Sequence, residues 1–235
     1  MTPRPAGSIR QHGYVGPNVA GRAQRYAGWS GIAFVVLFGV GSAIWGLDMP
    51  DTGSPVREVL DFYRETSDRI VVGASLSLLG IAAFVLFAAA IRSVLIDAGG
   101  DDFLATAAFG GALLGLAAGL GAETINMTAA VRADDGELSG ALAQSLFEIS
   151  QVLGSVGAGV GIGVFALATG VSALRAAVLP RWVAIILVVV GIALLTPLSY
   201  VNVVAGSAML LVALLIAVSL LRGPTSLPGR PAERL

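Results

Sequence analysis

Long apolar runs separated by short polar stretches dominate this chain. Six of the runs lie at about residues 27–47, 70–91, 103–131, 141–174, 181–198 and 203–221. A run of 18 or more apolar residues is typical of a transmembrane helix, because about 20 residues are needed to cross the hydrocarbon core of a bilayer. The pattern therefore predicts an all-α membrane protein, a bundle of six transmembrane helices over residues 27–221.

The polar stretches predict the rest of the architecture. Residues 1–26 and 222–235 are rich in Pro, Gly, Ser and Arg and lack apolar periodicity, which predicts two disordered tails. In the longest polar connection, Val56, Val59 and Tyr63 recur at helical spacing. This pattern predicts a short amphipathic helix that lies on the outer interface between the first and second spans.

Composition strengthens the membrane assignment and excludes several kinds of chemistry. The 235 residues are 56% hydrophobic and 12% charged, whereas a soluble domain is about 45–50% apolar and about 25% charged. Cysteine is absent and the single histidine, His12, lies in the N-terminal tail. We therefore predict no metal site and no cofactor. The net charge of -1 and the lack of a basic stretch argue against a nucleic-acid partner.

The distribution of arginine predicts the orientation. Ten of the fourteen basic residues fall on one side of the bilayer when the N-terminus is placed inside: Arg4, Arg10, Arg22, Arg25, Arg92, Arg175, Arg181, Arg222, Arg230 and Arg234. The outer connections hold the other four basic residues beside nine carboxylates. The positive-inside rule then places both termini in the cytoplasm, which an even number of spans also requires.

Two spans carry carboxylates among small residues and predict a close helix seam. Gly111, Gly115, Gly119 and Glu123 follow at four-residue steps and share one helix face, which Asn126 extends. The next span carries a similar stripe of Gln144, Glu148, Gln151, Ser155, Gly159 and Gly163. Small residues at such spacing let helices approach closely in lipid. Antiparallel packing would bring Glu123 and Glu148 to similar depth, but the sequence leaves open whether they face each other.

The two carboxylates are expected to avoid lipid, because a charged side chain in hydrocarbon is costly. Three arrangements are open: the carboxyl groups share a proton, pair with Arg69 or Arg64 at the outer mouth, or line a wet pocket. Residues predicted to form this ligand or proton site are Glu123, Asn126, Glu148, Gln151, Arg69, Tyr200 and Asn202. The alternative is a satisfied polar cluster that only holds two helices together.

Three segments give the chain a resemblance to a known group of proteins. They are Phe62-Tyr63-Arg64, the stretch from Asp68 to Ala74, and Leu179-Pro180-Arg181-Trp182. Together with the topology they resemble six-helix integral membrane proteins of actinobacteria, grouped in families of unknown function. The resemblance covers about residues 28 to 221 and implies a multi-pass protein of the bacterial inner membrane. It implies no activity and no cofactor.

Three functions from different classes are compatible with the sequence. The favoured one is a membrane protein whose outward-facing polar pocket binds or moves a proton, a cation or a small polar or amphiphilic ligand. The alternative is a structural or accessory subunit that works in a homo-oligomer or a larger membrane complex. An intramembrane enzyme that uses the two carboxylates as acid and base is the least favoured, because no nucleophile or metal set accompanies them. The lipid bilayer is the expected partner in every case.

Overall fold

The computed structural model describes residues 17–196 and 202–222, and the side chains of residues 22–196 and 206–222. Every regular element in these ranges is a helix. The helices are α1 (Pro17–Gly46), α2 (Val56–Glu65), α3 (Ser67–Asp97), α4 (Asp102–Asp134), α5 (Gly140–Val152), α6 (Ala158–Ala176), α7 (Arg181–Leu194) and α8 (Asn202–Leu221). A π-helical segment, Leu153–Gly157, joins α5 to α6, so these two form one continuous helix of 37 residues.

Four helices are long and apolar enough to cross a membrane. They are Arg22–Gly46 within α1, α3, α4, and the continuous helix Gly140–Ala176. Two further apolar helices, Arg181–Leu194 and Gly206–Leu221, are shorter. The predicted all-α, membrane-type architecture is therefore confirmed. The count of six spans stays a prediction, since the 14 residues of α7 reach only about 21 Å at 1.5 Å per residue.

Several helices extend beyond the apolar runs that mark them in the sequence. The first begins at Pro17, within the segment predicted as a tail, and α3 ends at Asp97 rather than near residue 91. At the start of α4, the Asp101 side chain accepts a hydrogen bond from the Phe103 backbone N–H at 2.9 Å. Hydropathy measures where a helix is apolar, whereas polar residues and caps continue the same helix into water.

The short helix α2 lies where the apolar spacing predicts it and covers one end of the bundle. Its Val59, Phe62 and Tyr63 are buried against the end of α4 and the start of α5. A ten-residue helix is not stable by itself in water, so this apolar face holds it in place. We call this end of the bundle the α2 end, and the end at which α3 meets α4 the opposite end.

The main core contains a cluster of four fully buried phenylalanine rings contributed by α1, α3 and α6. The rings of Phe34 and Phe84 meet edge to face at 4.6 Å between centroids, and Phe165 packs against Phe84 at 5.5 Å and Phe87 at 6.1 Å. Rings packed edge to face fill space densely and leave little room for water. We call these four residues the phenylalanine plug.

Glycines bring two pairs of helices into backbone contact. A Cβ atom on Gly41 would overlap the Gly73 carbonyl oxygen, and a Cβ on Gly161 would overlap the backbone of Gly115. These positions therefore join α1 to α3 and α4 to α6 at the closest approach that helices allow. Of the predicted seam, Gly111 and Gly115 do contact α6, and Gly159 is a buried residue of α6.

Two seam assignments need correction. A Cβ on Gly163 would meet Gly191 and Leu195, so Gly163 packs against α7 rather than α4. A Cβ on Gly119 would meet no atom of the described residues within 4 Å, so this residue does not closely contact another helix in the described part of the chain. Periodicity shows that residues share a face, but it does not identify the helix which that face contacts.

Candidate functional site

The Glu123 side chain is buried in the middle of the bundle, with 7% of its surface exposed. It borders a cavity of about 80 Å³ that five helices enclose. The lining is otherwise apolar and consists of Phe38, Ile81, Gly115, Leu116, Gly119, Ala122, Gly154, Ala158, Ile162, Gly206 and Met209. Among the described residues, Glu123 is the one ionisable group on the lining of this cavity, which we call the Glu123 cavity.

Two buried oxygen atoms at this place lack a hydrogen-bond partner among the described residues. They are Oε2 of Glu123 and Oγ of Ser77. The Ser77 side chain faces the carboxyl group from α3, at the point where α3 crosses α1 beside Gly41. Buried polar groups are normally hydrogen-bonded. The Ser77 hydroxyl lies close enough to interact with the Glu123 carboxyl group, but Oε2 has no hydrogen-bond partner of good geometry among the described residues.

A second polar cluster lies one helical turn closer to the α2 end, and its hydrogen bonds are made. The Tyr63 hydroxyl donates to Asn126 Oδ1 at 2.8 Å. The Ser150 hydroxyl can donate to the same oxygen at 3.0 Å or to the Phe147 carbonyl at 2.8 Å. Burial raises the pKa of the Tyr63 phenol, so this hydroxyl keeps its proton and remains a donor. We call Tyr63, Asn126 and Ser150 the amide cluster.

Gln151 and Ser155 also occupy buried positions on the long helix. The Gln151 side-chain amide donates to the Met49 sulfur at 3.0 Å, and the Ser155 hydroxyl donates to the Gln151 carbonyl at 2.6 Å. Gln151 thereby connects α5 to the segment that follows α1. Both side chains are engaged in contacts that stabilise the fold.

The single pocket predicted from the sequence is wrong in its geometry. Glu148 is exposed and accepts a hydrogen bond from the Gln144 amide at 2.7 Å, so it does not share a buried site with Glu123. Arg69 does not pair with either glutamate. Its guanidinium donates to Asp48 at 2.6 Å and to the Ile44 carbonyl at 2.9 Å, which ties the start of α3 to the end of α1.

An open cleft of about 720 Å³ lies at the α2 end, separate from the Glu123 cavity. Its lining is polar and charged: Asp48, Pro50, Pro55, Arg57, Glu58, Asp61, Phe62, Glu65, Thr66 and Arg69. Both arginines are paired with carboxylates of the lining, Arg57 with Asp61 at 3.6 Å and Arg69 with Asp48. Of the predicted site residues whose side chains are described, Arg69 alone borders this cleft.

Two predicted site residues fall outside this description. Tyr200 lies outside the described residues, and the side chain of Asn202 lies outside the described side chains. Three residues that matter were missed, namely Ser77, Tyr63 and Ser150. A signal existed for Ser77, because Gly73, Ser77 and Gly80 form a small-residue stripe in the second predicted span.

No protein-family model, curated protein or solved structure matches this chain. The resemblance to actinobacterial six-helix membrane proteins therefore stays a prediction. Within the described residues, no group of three or more His, Cys, Asp or Glu side chains could hold a metal ion.

Proposed function

We propose that this chain is a six-span membrane protein which binds and releases a proton at Glu123. The observation that carries the proposal is the carboxyl group with a buried, unpartnered oxygen on the wall of an apolar cavity. Ionisable residues inside a membrane bundle are expensive, and they commonly mark proton relays and ion pathways. A structural role would instead leave such a group satisfied by neighbours, as Asn126 is.

The size and lining of the cavity favour a proton over the other ligands considered. Amphiphilic ligands need pockets of about 300–1,000 Å³, whereas this cavity has about 80 Å³. A hard metal cation takes about six or more oxygen ligands, and among the described residues Glu123 is the only acidic one on the lining. A liquid water molecule occupies about 30 Å³, so the cavity has room for about two beside the carboxyl group.

The membrane assignment has two supports. Four described helices have the length and hydropathy to cross a bilayer. Large apolar side chains also lie on outward faces of these helices, where a bilayer would cover them, including Val40, Leu79, Leu86, Leu114 and Leu120. We infer six spans and, from the arginine distribution, a bacterial inner-membrane protein with both termini in the cytoplasm and the α2 end outside.

Infrared difference spectroscopy on the full chain in lipid bilayers tests the proton site. A protonated carboxyl group has its own C=O stretching band, which disappears when the group ionises. We expect one such band to titrate between about pH 4 and about pH 10, a range that spans the ordinary pKa values of carboxyl groups and phenols. This band should be lost in Glu123→Gln and should persist in Glu148→Gln. The absence of any titrating band that Glu123→Gln removes would overturn the proposal.

The second candidate is a structural or accessory subunit, and the satisfied amide cluster favours it. Under this alternative, Glu123 would be a fixed packing group and Glu123→Gln would lower stability. The infrared experiment separates the two, because a fixed group shows no change with pH.

A further inference from the structure

The Glu123 cavity is bounded by polar side chains on the side of the α2 end. Asn126 follows Glu123 by three residues on α4, and Ser150 precedes the cavity residue Gly154 by four. Residues three or four apart are neighbours on a helix surface, about 5–6 Å between Cβ atoms. The amide cluster therefore lies directly between the cavity and α2.

On the side of the opposite end, the cavity is bounded by aromatic rings. The lining residues Ile81 and Ile162 are each followed three residues later by a member of the phenylalanine plug, Phe84 and Phe165. All four rings of the plug are fully buried. Close-packed rings offer no donor or acceptor to a proton or a water molecule, whereas the amide cluster offers both.

The cover at the α2 end is a short helix. α2 has ten residues, and Thr66 alone separates it from α3. Among the described residues, the side-chain hydrogen bond that joins α2 to α4 is that of Tyr63 with Asn126. A ten-residue helix is not stable by itself in water, so α2 stays in place through its buried apolar face and this hydrogen bond, and loss of the bond would ease its opening.

We infer that Glu123 exchanges with solvent through the α2 end alone, by an outward movement of α2 whose latch is the Tyr63–Asn126 hydrogen bond. The identity of the exchanged species rests on the proposed function. The route itself follows from the contrast between the polar and aromatic boundaries of the cavity.

The absence of cysteine allows a direct accessibility test on the full chain in proteoliposomes. A cysteine at Gly119 lies on the cavity wall, and its Cβ would meet no atom within 4 Å. The probe is Ag⁺ in chloride-free buffer, which reacts with thiols and is small enough for the cavity. Modification is read as loss of maleimide labelling after unfolding in detergent. Ser150→Cys, a nearly isosteric change, provides a second probe should Gly119→Cys fail to fold.

Cysteines at two exposed positions report the orientation of the protein in the liposome and the access of Ag⁺ to each side. Asp51→Cys marks the α2 end and Phe103→Cys, at a position 77% exposed, marks the opposite end. We expect Ag⁺ on the α2 side to modify Gly119→Cys, about fivefold faster when Tyr63→Phe removes the latch. From the other side, Ag⁺ should modify Phe103→Cys and leave Gly119→Cys unmodified.

Three results would overturn the route. They are modification of both Gly119→Cys and Ser150→Cys from the opposite end at a comparable rate, no modification from the α2 side even with Tyr63→Phe, or a rate that Tyr63→Phe does not change. The accessibility assay is repeated in Glu123→Gln, because this variant measures how Ag⁺ reaches the cavity when the titrating group is absent. If the accessibility assay fails while the infrared titration is positive, the route is rejected and the proton site is not. Access without titration rejects the proton site alone.

Discussion

Glu123 and Asn126 are three residues apart on α4, and both are buried polar side chains, yet their surroundings differ. Asn126 accepts hydrogen bonds from α2 and α5 and joins three helices. Glu123 has an unpartnered oxygen and borders a cavity. A satisfied buried group stabilises a fold, whereas an unsatisfied one costs stability and is a candidate for function. The comparison separates a structural position from a candidate functional one on the same helix face.

The largest effect is expected from Asn126→Ala, which removes the acceptor of the amide cluster. Tyr63 is fully buried, so its hydroxyl would be left without its partner. We expect a loss of about 1–3 kcal/mol, the cost of an unsatisfied buried donor, measured by equilibrium unfolding in mixed micelles. Thr124→Ala is the control, because Thr124 is exposed and bonds only within its own helix. Equal effects from both changes would contradict the structural role of Asn126.

At Glu123 we expect a substitution to raise the stability of the protein rather than lower it. The change Glu123→Gln keeps the shape of the side chain and removes an acidic group from an apolar cavity. We expect a gain of about 0.5–2 kcal/mol, measured in the same micelles at neutral pH. A loss of stability as large as that of Asn126→Ala would mean that Glu123 is a packing group and would remove the contrast.

A smaller loss is expected from Tyr63→Phe, which keeps the ring and removes the hydroxyl. Asn126 retains Ser150 as a donor, so only the net value of one hydrogen bond is lost, about 0.5–1.5 kcal/mol. Tyr26→Phe is the matched control, since Tyr26 is 70% exposed. Hydrogen exchange of the α2 amides should rise in Tyr63→Phe and not in the control, and equal exchange in both would argue against the latch.

The smallest effect is expected from Glu148→Gln. Glu148 is exposed, and its bond with Gln144 lies on the surface of one helix. We expect a change within about 0.5 kcal/mol and an unchanged infrared titration. A change as large as that of Glu123→Gln would show that the two glutamates act together after all.

The architecture was largely readable from the sequence, because long apolar runs and the spacing of Val59 and Tyr63 are local properties. The partners of each helix face were not. In a membrane protein both the lipid-facing and the core-facing side chains are apolar, so the contrast that orients a helix in a soluble protein is missing. Glu148 was assigned to a buried seam for this reason, and the structure exposes it.

Residues far apart along the chain decide the character of the site. The sequence by itself determined that the chain is helical and apolar, that α2 is amphipathic, and that no thiol chemistry takes place. Tertiary structure decided that Asn126 meets Tyr63 at 2.8 Å, while Glu123 meets a cavity one turn away. The physical reason is that a buried polar group finds its hydrogen-bond partners on other helices. Helical periodicity does not show which side chains those helices place beside it.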